Sequence, residues 1–200
     1  GDVIPEVVGL AKRAHAPTAP MAPPHQCPSC GHLLQPAEEN KGLFCLNLEC
    51  PAQRLARLTH FTSRHAMNIR GLSHRIIYTL CEAGLVSTPD DFYALDIAKL
   101  ASLPRFGSKL ATNLHQALRH SQETTLPRLL YALGIAGIGR VTADKIAHAL
   151  PSIAQCMQAD ADDFQRIDSV GPVLADALVD YFRNPKNIAV IHRLQALGVV

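Results

Sequence analysis

The residues best suited to chemistry are four cysteines in two close pairs, Cys27 with Cys30 and Cys45 with Cys50. Two residues separate the first pair, fourteen separate the two pairs, and four separate the second pair. Each pair can offer two thiolates from one tight turn, and four thiolates can enclose a tetrahedral zinc ion. Because the protein fills all four positions of such a site, none is left for a reacting water. The spacing therefore predicts a structural zinc site rather than a catalytic one.

The alternatives to zinc are four unconnected thiols or two disulfides. His25 and His32 flank the first pair and could compete as ligands, but with four cysteines present we expect both to be exposed. Cys81 and Cys156 stand alone and are expected to be small core residues. Four cysteines in a metal-like spacing favour a reducing compartment over a disulfide scaffold, so we expect a cytoplasmic protein.

Composition and charge favour compact helices with one basic region. The 200 residues are 48% hydrophobic and 5% aromatic, without tryptophan. Residues 52–120 carry nine Lys or Arg against four Asp or Glu, whereas the segments before and after them are net −2 and −1. A basic middle suggests a polyanion partner, and an ordinary solvated surface is the alternative. Since no stretch approaches the ~20 apolar residues of a membrane helix, no membrane partner is expected.

Four glycine-bearing turns recur behind the cysteines, each between two helical patterns. Each turn has one central hydrophobic residue, and the steps between these residues are 34, 32 and 32. These plug residues are Leu72, Phe106, Ile138 and Val170. A near-constant period of this length is typical of an internal repeat. We expect the plug residues to be buried and the flanking small residues to let the backbone approach a ligand.

The ligand expected at these turns is phosphate. A helix start offers unpaired N–H groups and a positive dipole end, which together form an anion site. Arg75, Lys109, Arg140 and Lys145 lie just beyond the turns. This is the logic of a helix-hairpin-helix unit, whose backbone amides grip the DNA sugar-phosphate chain without reading bases, and paired units can follow both strands across a minor groove. A purely structural helical array is the alternative.

The chain resembles the C-terminal half of bacterial NAD-dependent DNA ligases. The matching motifs are "GDVIP" at residues 1–5, "CPSCG" at 27–31, "CPAQ" at 50–53, "HFTSRHAMNIRGL" at 60–72, "GLV" at 84–86, "LLYALGI" at 129–135 and "TADKIA" at 142–147. The resemblance implies that an adenylation domain and an OB-fold precede this region and that a BRCT domain usually follows it. It also implies that the four cysteines bind zinc and that the four turns contact nicked duplex DNA.

The resemblance and the patterns together predict a mainly α fold, in which a small four-cysteine zinc finger precedes an all-helical domain of four helix-hairpin-helix motifs. The expected organisation is the tail of an OB-fold at 1–9, a Pro- and Ala-rich linker at 10–26, the zinc finger at 27–51, a connecting helix at 52–66 and the hairpin domain at 67–200. The expected DNA contacts are Gly71, Ser73, Arg75, Arg105, Gly107, Lys109, Gly137, Gly139, Arg140, Thr142, Ser169 and Gly171.

Three turns depart from the family pattern, in which glycine flanks the plug residue on both sides. The first turn ends in Ser73, the second begins with Arg105 and the fourth begins with Ser169, so only the third turn keeps both glycines. If these positions require a positive φ, a serine or arginine there costs about 1 kcal/mol. We therefore expect the third turn to grip DNA best.

This chain is expected to bind DNA without catalysing ligation alone. The family accepts AMP from NAD on the lysine of a K-x-D-G tetrapeptide, which is absent here, so no catalytic residue is assigned and NAD and magnesium belong to the parent enzyme. One alternative is a stand-alone zinc and hairpin scaffold. Another is the tail of an excision nuclease, which would need a cluster of carboxylates near a metal. The tightest acidic group of this chain, at Asp160, Asp162 and Asp163, is more typical of a helix start.

Overall fold

The computed structural model describes residues 8–9, 22–36, 42–47, 49–102 and 106–199. The chain divides between Leu46 and Asn47 into two compact units. The predicted OB-fold tail at 1–9 and the predicted linker at 10–26 lie mostly outside the described residues.

The first unit is held by a very small sheet. Strand β1 (Leu34–Pro36) pairs antiparallel with β2 (Leu43–Cys45), and Leu34 lies opposite Cys45. A single bridge joins Gln26 to Leu33. Among the described residues of this unit, Cys27 alone is buried. The described residues of this unit therefore provide no apolar core of the size that normally stabilises a fold.

The second unit is helical throughout its described part. Its α-helices are α1 (Pro51–Thr62), α2 (His74–Glu82), α3 (Ile97–Ser102), α4 (Ser108–Gln122), α5 (Leu126–Ala132), α6 (Arg140–Ala149), α7 (Ile153–Gln158), α8 (Ala161–Gln165), α9 (Pro172–Arg183) and α10 (Pro185–Ala196). A 3₁₀ helix spans Pro89–Ala94. The predicted mainly α fold class is confirmed. Within the residues that the structure describes, every helix is too short or too polar to cross a lipid bilayer.

Helix α1 covers only part of the connecting helix predicted at 52–66. It begins at Pro51, whose missing N–H costs nothing at a first helical position. Ser63 adopts an extended conformation at φ −61°, ψ 160° and ends the helix. The following turn includes Asn68 in the left-handed region at φ 53°. The helix therefore ends four residues before the predicted boundary at Ala66.

Two hydrophobic cores lie within the helical unit. The first contains the plug residues Leu72 and Phe106, and the second contains Ile138 and Val170. All four plug residues are at most 8% exposed, so their predicted burial is confirmed. The hairpins are therefore organised as two pairs, and each pair is anchored in its own core.

Helices α5 and α10 contribute to both cores. In α5, Leu129 belongs to the first core and its neighbour Leu130 to the second, because adjacent residues of a helix point in different directions. In α10, Ile191 belongs to the second core and Leu194 to the first. These two helices couple the hairpin pairs, so their packing fixes how one pair is oriented against the other.

A carboxylate hydrogen-bond cluster caps the 3₁₀ helix. One carboxylate oxygen of Asp91 accepts hydrogen bonds from the backbone N–H groups of Ser87 and Thr88, each at 2.8 Å, and from their hydroxyl groups at 3.0 and 3.1 Å. Burial alone would raise the pKa of Asp91, but these hydrogen bonds to the charged form outweigh it and hold the pKa below 3.8.

We expect Asp91→Asn to lower the free energy of unfolding by about 1 kcal/mol at pH 7, because charge-assisted hydrogen bonds become weaker neutral ones. Because the folded-state pKa is depressed, this stabilisation is fully present above the ordinary pKa of 3.8 and is lost as the pH falls through the folded value. Urea unfolding at pH 7 and at pH 3 checks the prediction. The exposed Asp176→Asn is the control and should change neither value. An equal cost of Asp91→Asn at both pH values would contradict it.

Candidate metal centre and nucleic-acid interface

The first cysteine pair lies on one tight turn. The N–H of Gly31 donates to the carbonyl of Cys27 at 2.8 Å, and the N–H of Cys27 donates to the carbonyl of His32, also at 2.8 Å. Gly31 lies in the left-handed region at φ 70°, which glycine adopts without a steric cost. The turn thus directs the side chains of Cys27 and Cys30 toward the same point.

The second pair is positioned by a strand end and a helix start. Cys45 is the last residue of β2, and Cys50 directly precedes α1. Between them, the side-chain oxygen of Asn47 accepts the N–H of Glu49 at 3.0 Å, and the carbonyl of Asn47 accepts the N–H of Cys50 at 3.0 Å. These bonds form the turn that brings the two cysteines together.

The four sulfur atoms all lie within 4.8 Å of one another, and the Sγ atoms of Cys30 and Cys45 are 3.6 Å apart. Four sulfurs placed 2.3 Å from a tetrahedral zinc ion would be about 3.8 Å apart. No disulfide joins any of the six cysteines, all of which belong to the described residues. The arrangement is therefore positioned to hold a metal ion, and the donor set fits zinc.

The two flanking histidines and the two cysteines outside the cluster lie in the environments that were predicted for them. His25 and His32 are exposed, as expected of residues outside the ligand set. Cys156 is fully buried in the second core, where burial raises the pKa of its thiol to about 11. Cys81 is half-buried against the first core, and burial raises its pKa as well. Neither thiol is activated as a nucleophile.

The backbone angle φ differs between the position before each plug residue and the position after it. Before the plug residue, φ is positive at Gly71 (94°), Gly137 (79°) and Ser169 (68°). After it, Ser73 has φ −73° and Gly139 has φ −86°, which any residue adopts. A serine at the second position therefore costs no backbone strain, so the condition of a positive φ is not met at Ser73. Ser169 does occupy the strained position. Arg105 lies outside the described residues.

The four hairpin helices differ in the number of N–H groups that they offer. Gly107, Gly139 and Gly171 precede α4, α6 and α9 and provide no side-chain cap, so the first amides of these helices have no capping acceptor. The Oγ of Ser73 instead accepts the N–H of Ile76 at 3.4 Å and takes one donor from α2. Pro172 at the start of α9 has no N–H. The second and third turns therefore offer the most donors.

The basic residues beyond the turns fall into two groups. Arg75 and Lys109 are exposed, and no ion pair holds either of them among the described residues. Arg140 is exposed, and its guanidinium lies 3.2 Å from His65. Lys145, by contrast, donates to Asp168 at 2.5 Å and to Ser169 at 2.7 Å. Lys145 therefore contacts the fourth turn through an exposed ion pair, and its expected contact with phosphate stays a prediction.

Sequence reasoning did not single out two exposed valines at the starts of the third and fourth hairpin helices. Val141 is 70% exposed and Val173 is 86% exposed, and each is the second residue of its hairpin helix. Arg75 and Lys109 occupy the equivalent position in the first two hairpins. Thr142, the next residue of α6, is half-buried. The signal was available, because the plug residues align the four helix starts in the sequence.

The acidic group at α8 is a helix cap, as expected. The side chain of Asp160 accepts the N–H of Asp163 at 2.9 Å, and that of Asp163 accepts the N–H of Asp160 at 3.2 Å. Arg166 donates to Asp163 at 2.8 Å. This reciprocal capping box accounts for the carboxylates without a metal.

The strain at Ser169 leads to a stability prediction. We expect Ser169→Gly to raise the free energy of unfolding by about 0.5 kcal/mol, because the relief of strain at a positive φ exceeds the loss of the exposed hydrogen bond from Lys145 to the Ser169 hydroxyl. Ser73→Gly is the matched control: Ser73 has a negative φ and caps α2, so its loss should lower stability by a few tenths of a kcal/mol. Urea unfolding of both variants checks this. Equal stabilisation by both variants would refute the assignment of strain to one position.

Comparison with known protein families agrees with two pairs of hairpins in the helical unit. Residues 63–120 match the family described as a SAM-like helix-hairpin-helix tandem, and residues 128–191 match the helix-hairpin-helix motif family. The boundary between the two matches lies where the structure separates the two hairpin pairs.

The chain also matches proteins named DNA ligase. It is 41% identical over 201 residues to that of Alkalilimnicola ehrlichii, 39% over 200 residues to that of Oceanobacillus iheyensis, and 42% over 201 residues to that of Acidithiobacillus ferrooxidans. Each match covers 100% of this chain but 30% of the relative. The resemblance to DNA ligases is thereby confirmed along the whole chain, which corresponds to a segment of about 30% of their length.

Proposed function

We propose that this chain is the DNA-gripping portion of an NAD-dependent DNA ligase and that it corresponds to the C-terminal half of that enzyme. It holds nicked duplex DNA so that the rest of the enzyme can seal the phosphodiester bond in replication and repair. Adenylation and OB-fold domains of the same parent chain are its expected partners. NAD and magnesium are used by those domains, so this chain alone binds DNA but does not ligate it.

The observation that carries the proposal is the exposed start of each hairpin helix beside a buried plug residue. The arrangement recurs four times, and three of the starts, at Gly107, Gly139 and Gly171, keep their amides free of side-chain caps. Arg75, Lys109 and Arg140 supply positive charge beside them. Amides and cations that face solvent together favour an extended phosphate chain over a small ligand.

The cysteine cluster is proposed to hold structural zinc. Its four thiolate donors match the preference of zinc for a closed tetrahedral site. Cys50 directly precedes α1, whose Leu58 and Phe61 lie in the first core. Zinc would thus fix the residues before α1 to the start of a helix that is itself anchored. In the parent enzyme, we expect this to set the corner between the OB-fold and the hairpin domain.

Fluorescence anisotropy with nicked, intact and single-stranded DNA across a salt series tests the proposal. We expect duplex binding whose logarithm falls linearly with the logarithm of salt concentration, with a slope of about 0.9 for each phosphate contact. Nicked duplex should bind at least as tightly as intact duplex, and single strands more weakly. Absence of duplex binding at low salt would contradict the proposal.

A further inference from the structure

A cavity of about 690 Å³ lies within the helical unit, away from the hairpin turns. It is bounded by the first turns of α1, the residues that lead into the 3₁₀ helix, the ends of α5 and α9, and one side of α10. None of the four turns at 71–73, 107, 137–139 and 169–171 contributes to its lining. DNA binding at the hairpins therefore does not account for it.

The floor of the cavity is apolar. Leu58, Leu133, Ala189 and Val190 line it together with the ring of Tyr181, whose hydroxyl is directed to the carbonyl of Leu133 at 3.4 Å. Burial raises the pKa of Tyr181 well above its ordinary value, so this ring remains neutral. A concave apolar surface of this volume is the usual form of a small-molecule site.

The rim of the cavity is cationic. Its lining includes Arg54, Arg57, Lys186 and Arg193 against one acidic side chain, Glu49. Glu49 pairs with Lys186 at 2.7 Å and lies 3.8 Å from Arg54, so a single carboxylate is shared between two cations. These pairs are exposed and can rearrange at little cost.

The partner of Arg193 lies below the rim. The guanidinium of Arg193 donates to the carboxylate of Asp90, whose side chain is only 5% exposed. This pair holds α10 against the 3₁₀ helix and fixes that wall of the cavity. With it in place, the rim retains more positive than negative charge, while the floor remains apolar.

We propose that this cavity binds a small organic anion with an apolar body, such as an aryl or alkyl phosphate or carboxylate. The apolar body occupies the floor formed by Leu58, Val190 and the ring of Tyr181. The anionic group lies at the rim, between the arginines of α1 and the basic residues of α10. Because α10 belongs to both cores, the ligand would fasten the element that couples the two hairpin pairs. The proposal does not depend on DNA binding.

Calorimetric titration of the full chain with 1-naphthyl phosphate tests the proposal, with inorganic phosphate and 1-naphthol as separate probes. We expect a Kd of about 0.5 mM or tighter for 1-naphthyl phosphate. Inorganic phosphate has the anionic group without the apolar body, and 1-naphthol has the apolar body without the anionic group. Each should therefore bind at least about fivefold more weakly. Amide shifts in an NMR titration should map to Leu133 and to Ala189 and Val190 of α10.

Arg54→Gln combined with Arg57→Gln should weaken the binding of 1-naphthyl phosphate by about fivefold or more, because both residues line the rim. Neither residue is in a core cluster, so the fold should be retained. Arg119→Gln removes an exposed charge from α4, outside the cavity, and should leave the affinity unchanged. The proposal is overturned by absence of binding at 5 mM probe, by equal affinity for inorganic phosphate, by equal loss in both variants, or by amide shifts elsewhere.

Discussion

Replacement of Cys50 by serine is expected to reduce the zinc affinity of the chain by about a hundredfold or more and to unfold the small sheet at 34–45. The reason is that Cys27 alone is buried among the described residues of the first unit, whereas Leu33, Phe44 and Leu46 are more than half exposed. Because these described residues provide almost no core, binding of a metal ion would supply most of the folding free energy of this unit.

The loss of zinc is measured as metal content after dialysis, and the unfolding of the sheet is measured by amide hydrogen exchange. We expect about one zinc per wild-type chain. In Cys50→Ser, the protection of residues 22–36 should be lost, while the helices that contain the two cores stay protected. Cys81→Ser is the matched control, because Cys81 lies on α2 outside the cluster. Retention of one tightly bound zinc in Cys50→Ser would disprove the four-cysteine site.

Gly139→Asp is expected to lower the affinity for duplex DNA by about tenfold or more, without loss of stability. Aspartate is a favoured N-cap residue, and Gly139 has a φ of −86° and open space around it, so the fold accepts the side chain. The carboxylate would accept the first N–H groups of α6 and repel phosphate. Stability and DNA affinity should therefore change independently.

Ser152→Asp provides the control for charge, because it places the same carboxylate at the N-cap of α7, outside the hairpin turns. Its DNA affinity should fall by less than about twofold. Gly137→Ala provides the control for folding: Gly137 has φ 79°, and an added Cβ would lie 3.0 Å from Leu174, so unfolding free energy should drop by about 1–2 kcal/mol. Equal losses of DNA affinity in Gly139→Asp and Ser152→Asp would argue against a grip by amides.

The repeat and the cysteine cluster were predictable because each depends on residue type and spacing alone. The plug residues recur at steps of 34, 32 and 32, and all four are buried. The cysteine spacing likewise brought Cys27, Cys30, Cys45 and Cys50 together. Both patterns are local, so neither required knowledge of how distant elements pack.

The features that could not be predicted depend on contacts between distant residues. Lys145 follows the third turn, yet Asp168 and Ser169, more than twenty residues later, take up its charge. Arg193 similarly pairs with Asp90, 103 residues away. The role of each glycine also required backbone angles, since the sequence does not say which side of a plug residue has a positive φ.

The most direct test of the central claim is an NMR titration of the ¹⁵N-labelled chain with a short nicked duplex. We expect the largest shifts at the amides of α4 and α6 that follow Gly107 and Gly139, with smaller shifts after Ser73 and Gly171. We also expect little change in α7. Shifts confined to other surfaces, with the hairpin amides unchanged at saturation, would contradict the claim that these helix starts grip DNA.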